Sequence, residues 1–334
     1  MRHQKRLIRE ILLELRSKTI VVAMSDLVSI VIGAKRLMIA MVDSDKKSAR
    51  IIFNKGVEIS NETIKSSIFG VLDKMRNFEG IGVAAGGVMN QNVGVIEYST
   101  ANKIRNLNIA EILEKRYKVP VSLYNLSVAS AIGEKLFGTG MHYRNLVYVT
   151  FGTIIRGGII ANDHVLFGKD GNAHEVGHIN VSSEGGLKCT CGCTGHWIAY
   201  CSEFGIPQYI RLLLKTKYLE RDSRLKNSKS ITAAKLYSMS RSDSVAKDIV
   251  NEDIGRLNAI GIANVINAYD PEIVILGGQA THKYPKEVLT PILKHVDKYV
   301  VNRKPEIVIS KLKDTGKYLG AVSDFMDSES TIMT

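Results

Sequence analysis

Gly171-Asn172-Ala173-His174-Glu175-Val176-Gly177-His178 is followed, after ten further residues, by Cys189-Thr190-Cys191-Gly192-Cys193-Thr194-Gly195-His196. Soft and borderline donors at this density point to a metal. His178, Cys189, Cys191 and His196 can close a tetrahedral shell of two imidazoles and two thiolates, for which zinc is the expected ion. Cys193 competes for a place in that shell, and His174 is a weaker competitor. Gly192 and Gly195 let the backbone turn tightly enough for ligands two and seven residues apart to converge. A closed set of four leaves no position for a catalytic water, so the expected role is to hold a loop.

The chain has four cysteines, Cys189, Cys191, Cys193 and Cys201, all within thirteen residues. They cannot staple distant segments as disulfides would. With 334 residues, 45% of them hydrophobic, the chain can bury a core larger than one domain usually holds, and two lobes are expected. No apolar run approaches the ~20 residues that cross a bilayer, and no signal-peptide core follows Met1, so a cytoplasmic protein with no membrane partner is expected. The net charge of +12 favours anionic partners without choosing among them.

Working outward from the metal loop, the pattern alternates strands and helices. Leu7, Ile8, Ile11, Leu12 and Leu15 repeat at helical spacing between basic residues, predicting an amphipathic helix over 5–18. Two apolar runs, 29–33 and 37–43, bracket Gly33-Ala34-Lys35-Arg36 as a hairpin would. A third strand over 49–53, a helix over 62–76, a buried strand over 81–85, a helix over 109–117, a short strand at 119–123 and a helix over 126–137 follow. A second glycine-interrupted hairpin is predicted over 146–160, helices dominate 200–267, and strands at 273–276 and 307–310 precede a closing helix over 319–326. Two similar halves, each opening on a hairpin, suggest lobes facing across a cleft, the usual place for a small ligand.

The metal loop resembles the ROK (repressor, open reading frame, kinase) pattern, G-x-x-x-E-x-G-H followed by C-x-C-G-x-x-G-C-x-E. His196 stands for the last cysteine, and Ile198 for the closing glutamate. The resemblance extends from the Gly33 hairpin to the closing helix, with Ile81 to Val88 similar to the family's strand into a Gly-Pro turn and Asp270 to Gly278 similar to the strand and Gly-Gly turn that meet adenosine. It implies an α/β protein with a two-lobed actin-like/hexokinase-like ATPase (ribonuclease H-like) fold and a zinc-binding loop. The expected division is a basic extension over 1–28, a smaller lobe over 29–124 plus 316–334, and a larger lobe over 125–315 that carries the loop 171–198.

The same resemblance assigns sites. Asn102, Asn125, Glu175 and His178 would meet a sugar ligand; Gly33, Lys35, Gly152, Thr153, Gly277 and Gly278 would lie at a nucleotide. Phosphoryl transfer needs a carboxylate to take the hydroxyl proton, donors for phosphate, and an acid for Mg²⁺. The family's catalytic aspartate follows the asparagine matched by Asn125, and here that place holds Leu126. Val31 replaces the Mg²⁺-binding aspartate of the first phosphate loop, while Ile154 and Arg156 replace two glycines of the second, Gly152-Thr153-Ile154-Ile155-Arg156-Gly157-Gly158. These losses count against ATP and Mg²⁺ as cofactors.

The expectation is therefore a catalytically silent, zinc-bound protein, sugar-sensing or related to transcription regulators, and a homodimer as relatives tend to be. The alternative is an ATP-dependent sugar kinase, of glucokinase or N-acetylhexosamine kinase type, rebuilt around Lys35, Arg36 and Arg156. A third class, nonspecific contact with nucleic acid, rests on the charge and the basic first helix; Glu10 to Leu15 resembles the strand that joins a DNA-reading module to such a body, but no complete helix-turn-helix is expected.

Overall fold

The computed structural model describes residues 26–326 apart from 44, 46, 57–59, 76, 100–102 and 183–185; the helix expected over 5–18 lies outside the described residues. β1 (Asp26–Ile32) and β2 (Arg36–Asp43) form the expected hairpin, in which the Gly33 N–H donates to the Arg36 carbonyl at 2.9 Å. β1 starts at Asp26 instead of Ser29, because Asp26, Leu27 and Val28 find partners in Asp43, Val42 and Met41. β3 (Ser48–Gly56) pairs with the other edge of β2, and β4 (Phe78–Ala85) runs parallel to β1. Three short strands, β5 (Val88–Asn90), β6 (Val95–Tyr98) and β7 (Arg105–Asn108), make a small separate sheet before β8 (Val121–Asn125) returns alongside β4. The first large sheet is thus ordered β3-β2-β1-β4-β8.

The second half repeats this plan. β9 (Leu146–Phe151), β10 (Ile155–Ala161), β11 (His164–Val165), β12 (Ile273–Gly277) and β13 (Glu306–Ile309) are ordered β11-β10-β9-β12-β13, antiparallel through the hairpins and parallel at β9, β12 and β13. β4 and β12 read as unbroken apolar runs because both faces are covered, as parallel strands require.

Between the sheets lie the helices Leu126–Phe137 and Gly316–Ala321, packed in one core with Val31, Ala84, Tyr148 and Ile275. They cross backbone to backbone: a Cβ on Gly133 would stand 2.1 Å from the Gly316 carbonyl oxygen, and one on Gly320 would stand 1.8 Å from that of Ala129. The closing helix accordingly begins at Gly316, earlier than the apolar spacing predicted, and gives way to a 3-10 turn at Ser323–Phe325. Outer cores cover the first sheet with helices Asn61–Leu72 and Ile109–Tyr117, and the second with the helices between Trp197 and His295. Among the described residues no helix is long and apolar enough to cross a membrane.

Candidate functional site

The metal loop is shaped by short backbone pairings: Cys189 N–H to the Cys193 carbonyl at 2.7 Å, Gly192 N–H to Cys189 at 3.0 Å, and Gly195 N–H to Leu187 at 3.1 Å. These turns bring one donor atom each of His178, Cys189, Cys191 and His196 within 4.8 Å of one another. His178 Nδ1 is 3.1 Å from His196 Nδ1, Cys189 Sγ is 3.8 Å from His178 Nδ1, and Cys191 Sγ is 3.3 Å from His196 Nδ1. Donors around a tetrahedral zinc stand about 3.3 to 3.8 Å apart, given its bond lengths. Cys193 is exposed and is not one of the four, nor is the buried His174.

One orphaned atom supports the fit. Glu175 Oε2 is buried without a hydrogen-bond partner, 3.4 Å from His178 Nε2. A metal on Nδ1 fixes the imidazole proton on Nε2, where it points at this carboxylate, the usual outer partner of a metal-bound histidine. Burial, ahead of the opposing Glu175 charge, holds His178 below its ordinary pKa, and burial pushes the Cys189 thiol up. A neutral imidazole is the form that binds metal.

Beside the loop lies a pocket of about 250 Å³ lined by Gly87, Val88, Tyr98, Arg156, Glu175 and His178 among others. Asn125 departs from its expected place there. Its side chain is buried within the strand-to-helix junction, where Oδ1 accepts from Ser127 N at 3.0 Å and Ser127 Oγ at 2.8 Å, and Nδ2 donates to His174 Nε2 at 2.9 Å. The asparagine thus caps the helix and leaves no amide for the pocket. His174 Nδ1 in turn donates to the Gly171 carbonyl at 3.0 Å, which fixes the tautomer that accepts from Asn125. Asn172 docks this loop on β5, with Nδ2 donating to the Met89 carbonyl at 2.9 Å and Oδ1 accepting from Met89 N at 3.1 Å. Asn102 lies outside the described residues.

Glu175 carries the densest interactions. Oε1 is 2.9 Å from Arg156 Nε and 3.2 Å from His174 Nε2. Burial raises the Glu175 carboxyl, and the Arg156 guanidinium beside it works against burial to leave the pKa lowered. Arg156 rises from β10, is nine-tenths buried, and lines both this pocket and a larger cleft of about 490 Å³ between the lobes. The point where a Cβ on Gly86 would stand is 3.5 Å from Arg156 Nη1 and 3.7 Å from Leu126 Cδ1, so guanidinium and leucine methyl flank the turn after β4.

Gly33, Gly152, Thr153 and Gly278 line the larger cleft; Gly277 and the exposed Lys35 are not among its lining residues, whereas Arg36 is. Arg36 Nε and Nη2 both donate to Asn54 Oδ1, at 3.0 and 2.8 Å. Gly277 instead serves packing, since a Cβ there would stand 1.8 Å from Tyr148 Oη. Thr153 Oγ1 donates to Glu203 at 3.4 Å. Ile154, which also packs against the core behind the second sheet, and Arg156 both line the cleft. Lys313, Asp314 and Lys317 also line it, and sequence reasoning passed over all three. Lys313 and Asp314 follow β13 in an irregular stretch and Lys317 sits at the start of the closing helix, with no motif among them; only the rule that ligands gather beyond the carboxyl ends of parallel strands pointed there. Asp314 accepts from Lys317 Nζ at 2.8 Å; burial raises its carboxyl, and Lys317 more than offsets it to leave the pKa lowered.

Two facing sheets of equal strand order, crossed helices between them and a cleft at the strand ends define a two-lobed α/β protein of the actin-like/hexokinase-like fold class. Within that class the chain belongs to the ROK family, whose sequence model matches residues 27–327. It is 32% identical over 246 residues to a glucokinase of Halalkalibacterium halodurans, covering 73% of this chain and 74% of that one. It is also 26% identical over 313 residues to the xylose repressor of Caldicellulosiruptor bescii, covering 90% and 74%. The crystal structure of a ROK family glucokinase from Streptomyces griseus, in complex with glucose and AMPPNP, superposes with a TM-score of 0.75 at 25% identity over 89% of this chain and 98% of that one. Relatives thus include sugar kinases and repressors, and membership alone does not choose between them.

Proposed function

We propose that this chain is a catalytically silent sugar-sensing ROK protein, related to the family's regulators, which holds zinc through His178, Cys189, Cys191 and His196. The observation that carries the reading is Arg156: it bridges from the second lobe to Gly86 beside Leu126, and commits Glu175 to an ion pair. No carboxylate stands at Leu126 to accept a hydroxyl proton, and a general base contributes a factor of roughly 10² to 10⁴ in rate. Zinc in this set would stiffen the loop that carries Glu175 and His178, the two side chains left to meet sugar hydroxyls.

Gly33, Gly152, Thr153 and Gly278 keep the outline of a nucleotide site, but Ile154 and Arg156 obstruct its phosphates. Coupled assays of common hexoses and N-acetylhexosamines with ATP and Mg²⁺ test the reading. No turnover above background is expected, while sugars of the panel raise the melting temperature. A robust rate would overturn it in favour of an ATP-dependent sugar kinase with a rebuilt site.

A further inference from the structure

Cys193 is left outside the set of four converging donors although it belongs to the same turn. The Cys189 N–H donates to the Cys193 carbonyl at 2.7 Å and the Gly192 N–H donates to the Cys189 carbonyl at 3.0 Å, so residues 189 to 193 close on themselves. Gly192 turns the chain there with φ at +97°, a conformation that favours glycine, and a Cβ on it would meet nothing within 4 Å. The outer side of the turn is thus open, and it carries Cys191 and Cys193 one residue to either side of Gly192. Among the four donors Cys191 alone is exposed; Cys189 is buried, and so is Cys201 beyond the loop. The Cys191 sulfur is also the main influence on the Cys193 thiol, which it pushes up, as a close neighbour does. A reagent arriving from solvent therefore meets two adjacent sulfurs, one a metal ligand and one spare.

We propose that Cys191 and Cys193 form a thiol-oxidation site, at which a hydroperoxide converts the pair to a disulfide and the metal held with Cys191 is released. A cysteine that ligates zinc is deprotonated, and the thiolate is the nucleophile. Cys191 Sγ attacks the terminal peroxide oxygen; the O–O bond breaks, the remaining oxygen takes a proton from water and leaves, and Cys191 becomes a sulfenic acid. Cys193 Sγ then attacks the Cys191 sulfur, the S–S bond forms, and the hydroxyl leaves with the Cys193 proton as water. Two electrons pass from the two sulfurs to the peroxide, so hydrogen peroxide ends as two waters. A disulfide sulfur offers no thiolate, and the donor set falls to His178, Cys189 and His196 with one negative charge fewer. The resolving thiol is Cys193 because Cys189 is buried and engaged as a ligand. Cys193 stands at an open position of the C-x-C-G-x-x-G-C pattern, so the site belongs to this chain and not to the pattern. The inference rests on the four-ligand zinc reading and adds a control to it, since His178 shares its loop with Glu175.

The test treats the zinc-loaded full chain with hydrogen peroxide while a metallochromic indicator follows free zinc and mass spectrometry maps the cysteines. Zinc is expected to appear in step with a Cys191–Cys193 disulfide, the melting temperature to fall to that of the chelated chain, and dithiothreitol to restore both metal binding and melting temperature. Cys193→Ser changes an exposed side chain outside the donor set, so the variant is expected to fold and load zinc as the parent does. Without a resolving thiol it should release zinc roughly tenfold or more slowly and end as sulfinic acid at Cys191. Equal release rates in parent and Cys193→Ser, a disulfide between Cys189 and Cys191, or zinc retained with both thiols reduced would each overturn the inference. Metal content measured before peroxide is added keeps the two readings apart. A chain that takes up no zinc ends the four-ligand reading and, with it, the release of metal, whereas a chain that loads zinc and gives no Cys191–Cys193 disulfide ends the oxidation site alone.

Discussion

Arg156 Nε donates to Glu175 Oε1 at 2.9 Å, joining a hairpin strand of the second sheet to the first turn of the metal loop. The bond is a consequence of one departure from the family's glycine pattern. A glycine at this position would leave the cleft and the smaller pocket continuous and would leave Glu175 with only the imidazoles of His174 and His178 beside it. The arginine closes the seam and ties the loop to the sheet, so one substitution alters ligand access and loop anchoring together.

Removing the cation alone should be costly. Arg156→Met is expected to leave the Glu175 carboxylate buried without its counter-ion and to lower stability by about 3 kcal/mol. Arg156→Met combined with Glu175→Gln should recover more than half of that, because no buried charge is then unpaired. Urea unfolding of the two variants against the parent measures the coupling.

A half-buried pair sets a pH dependence. Asp163 lies 2.7 Å from Lys135 Nζ and 2.8 Å from Arg144 Nε, and the Lys135 side chain, on the central helix, is only 8% exposed. The hydrogen bond from Lys135, then that from Arg144, holds the Asp163 pKa below its ordinary value. A carboxyl whose folded pKa is depressed adds stability that is present above its unfolded pKa and lost as pH falls through the folded one. Asp163→Asn should therefore cost about 1 to 3 kcal/mol at neutral pH, and the gap to the parent should narrow below about pH 4. Denaturant midpoints across pH 3 to 7 check the slope.

Local signals made much of this fold legible. The helix Leu126–Phe137 was readable to the residue because Asn125 caps it and Gly138 follows it, and β9 because a run of apolar residues ends at Gly152. The sheet β5-β6-β7 was not, since strands of three and four residues show too little alternation to stand out. At the site, four donors at short spacing converge in space, whereas Lys313, Asp314 and Lys317 reach the cleft only through the parallel pairing of β12 with β13, which no local pattern encodes. Asn125 shows the opposite failure: the residue was found, but its amide is taken up by Ser127 and His174 within the fold.

Metal removal separates the four converging donors from the spare thiol. The zinc-loaded chain is expected to hold one equivalent of metal, to lose it with Cys189→Ser, and to keep it with Cys193→Ser, whose thiol is exposed and outside the set. Chelation should lower the melting temperature by more than about 5 °C, since metal bound only by the folded loop contributes its binding free energy to stability. Metal content by atomic absorption and melting curves with and without chelator are the readouts.

Restoring the acid should not restore the enzyme. Leu126 is partly exposed at the first turn of its helix, where an aspartate is favoured by the helix dipole, so Leu126→Asp should fold with a stability within about 1 kcal/mol of the parent. The new carboxylate would share the Gly86 turn with Arg156 Nη1, and the nearest use for it is a second ion pair to that guanidinium. A carboxylate held by an arginine is a weak proton acceptor, and Ile154 and Arg156 would still line the cleft where the family has glycines. Coupled assays with ATP, Mg²⁺ and the hexose panel should therefore stay at background for Leu126→Asp. Activity appearing with this single change would mean that the phosphate loops are competent as they are, and that the lost acid alone separates this chain from its kinase relatives.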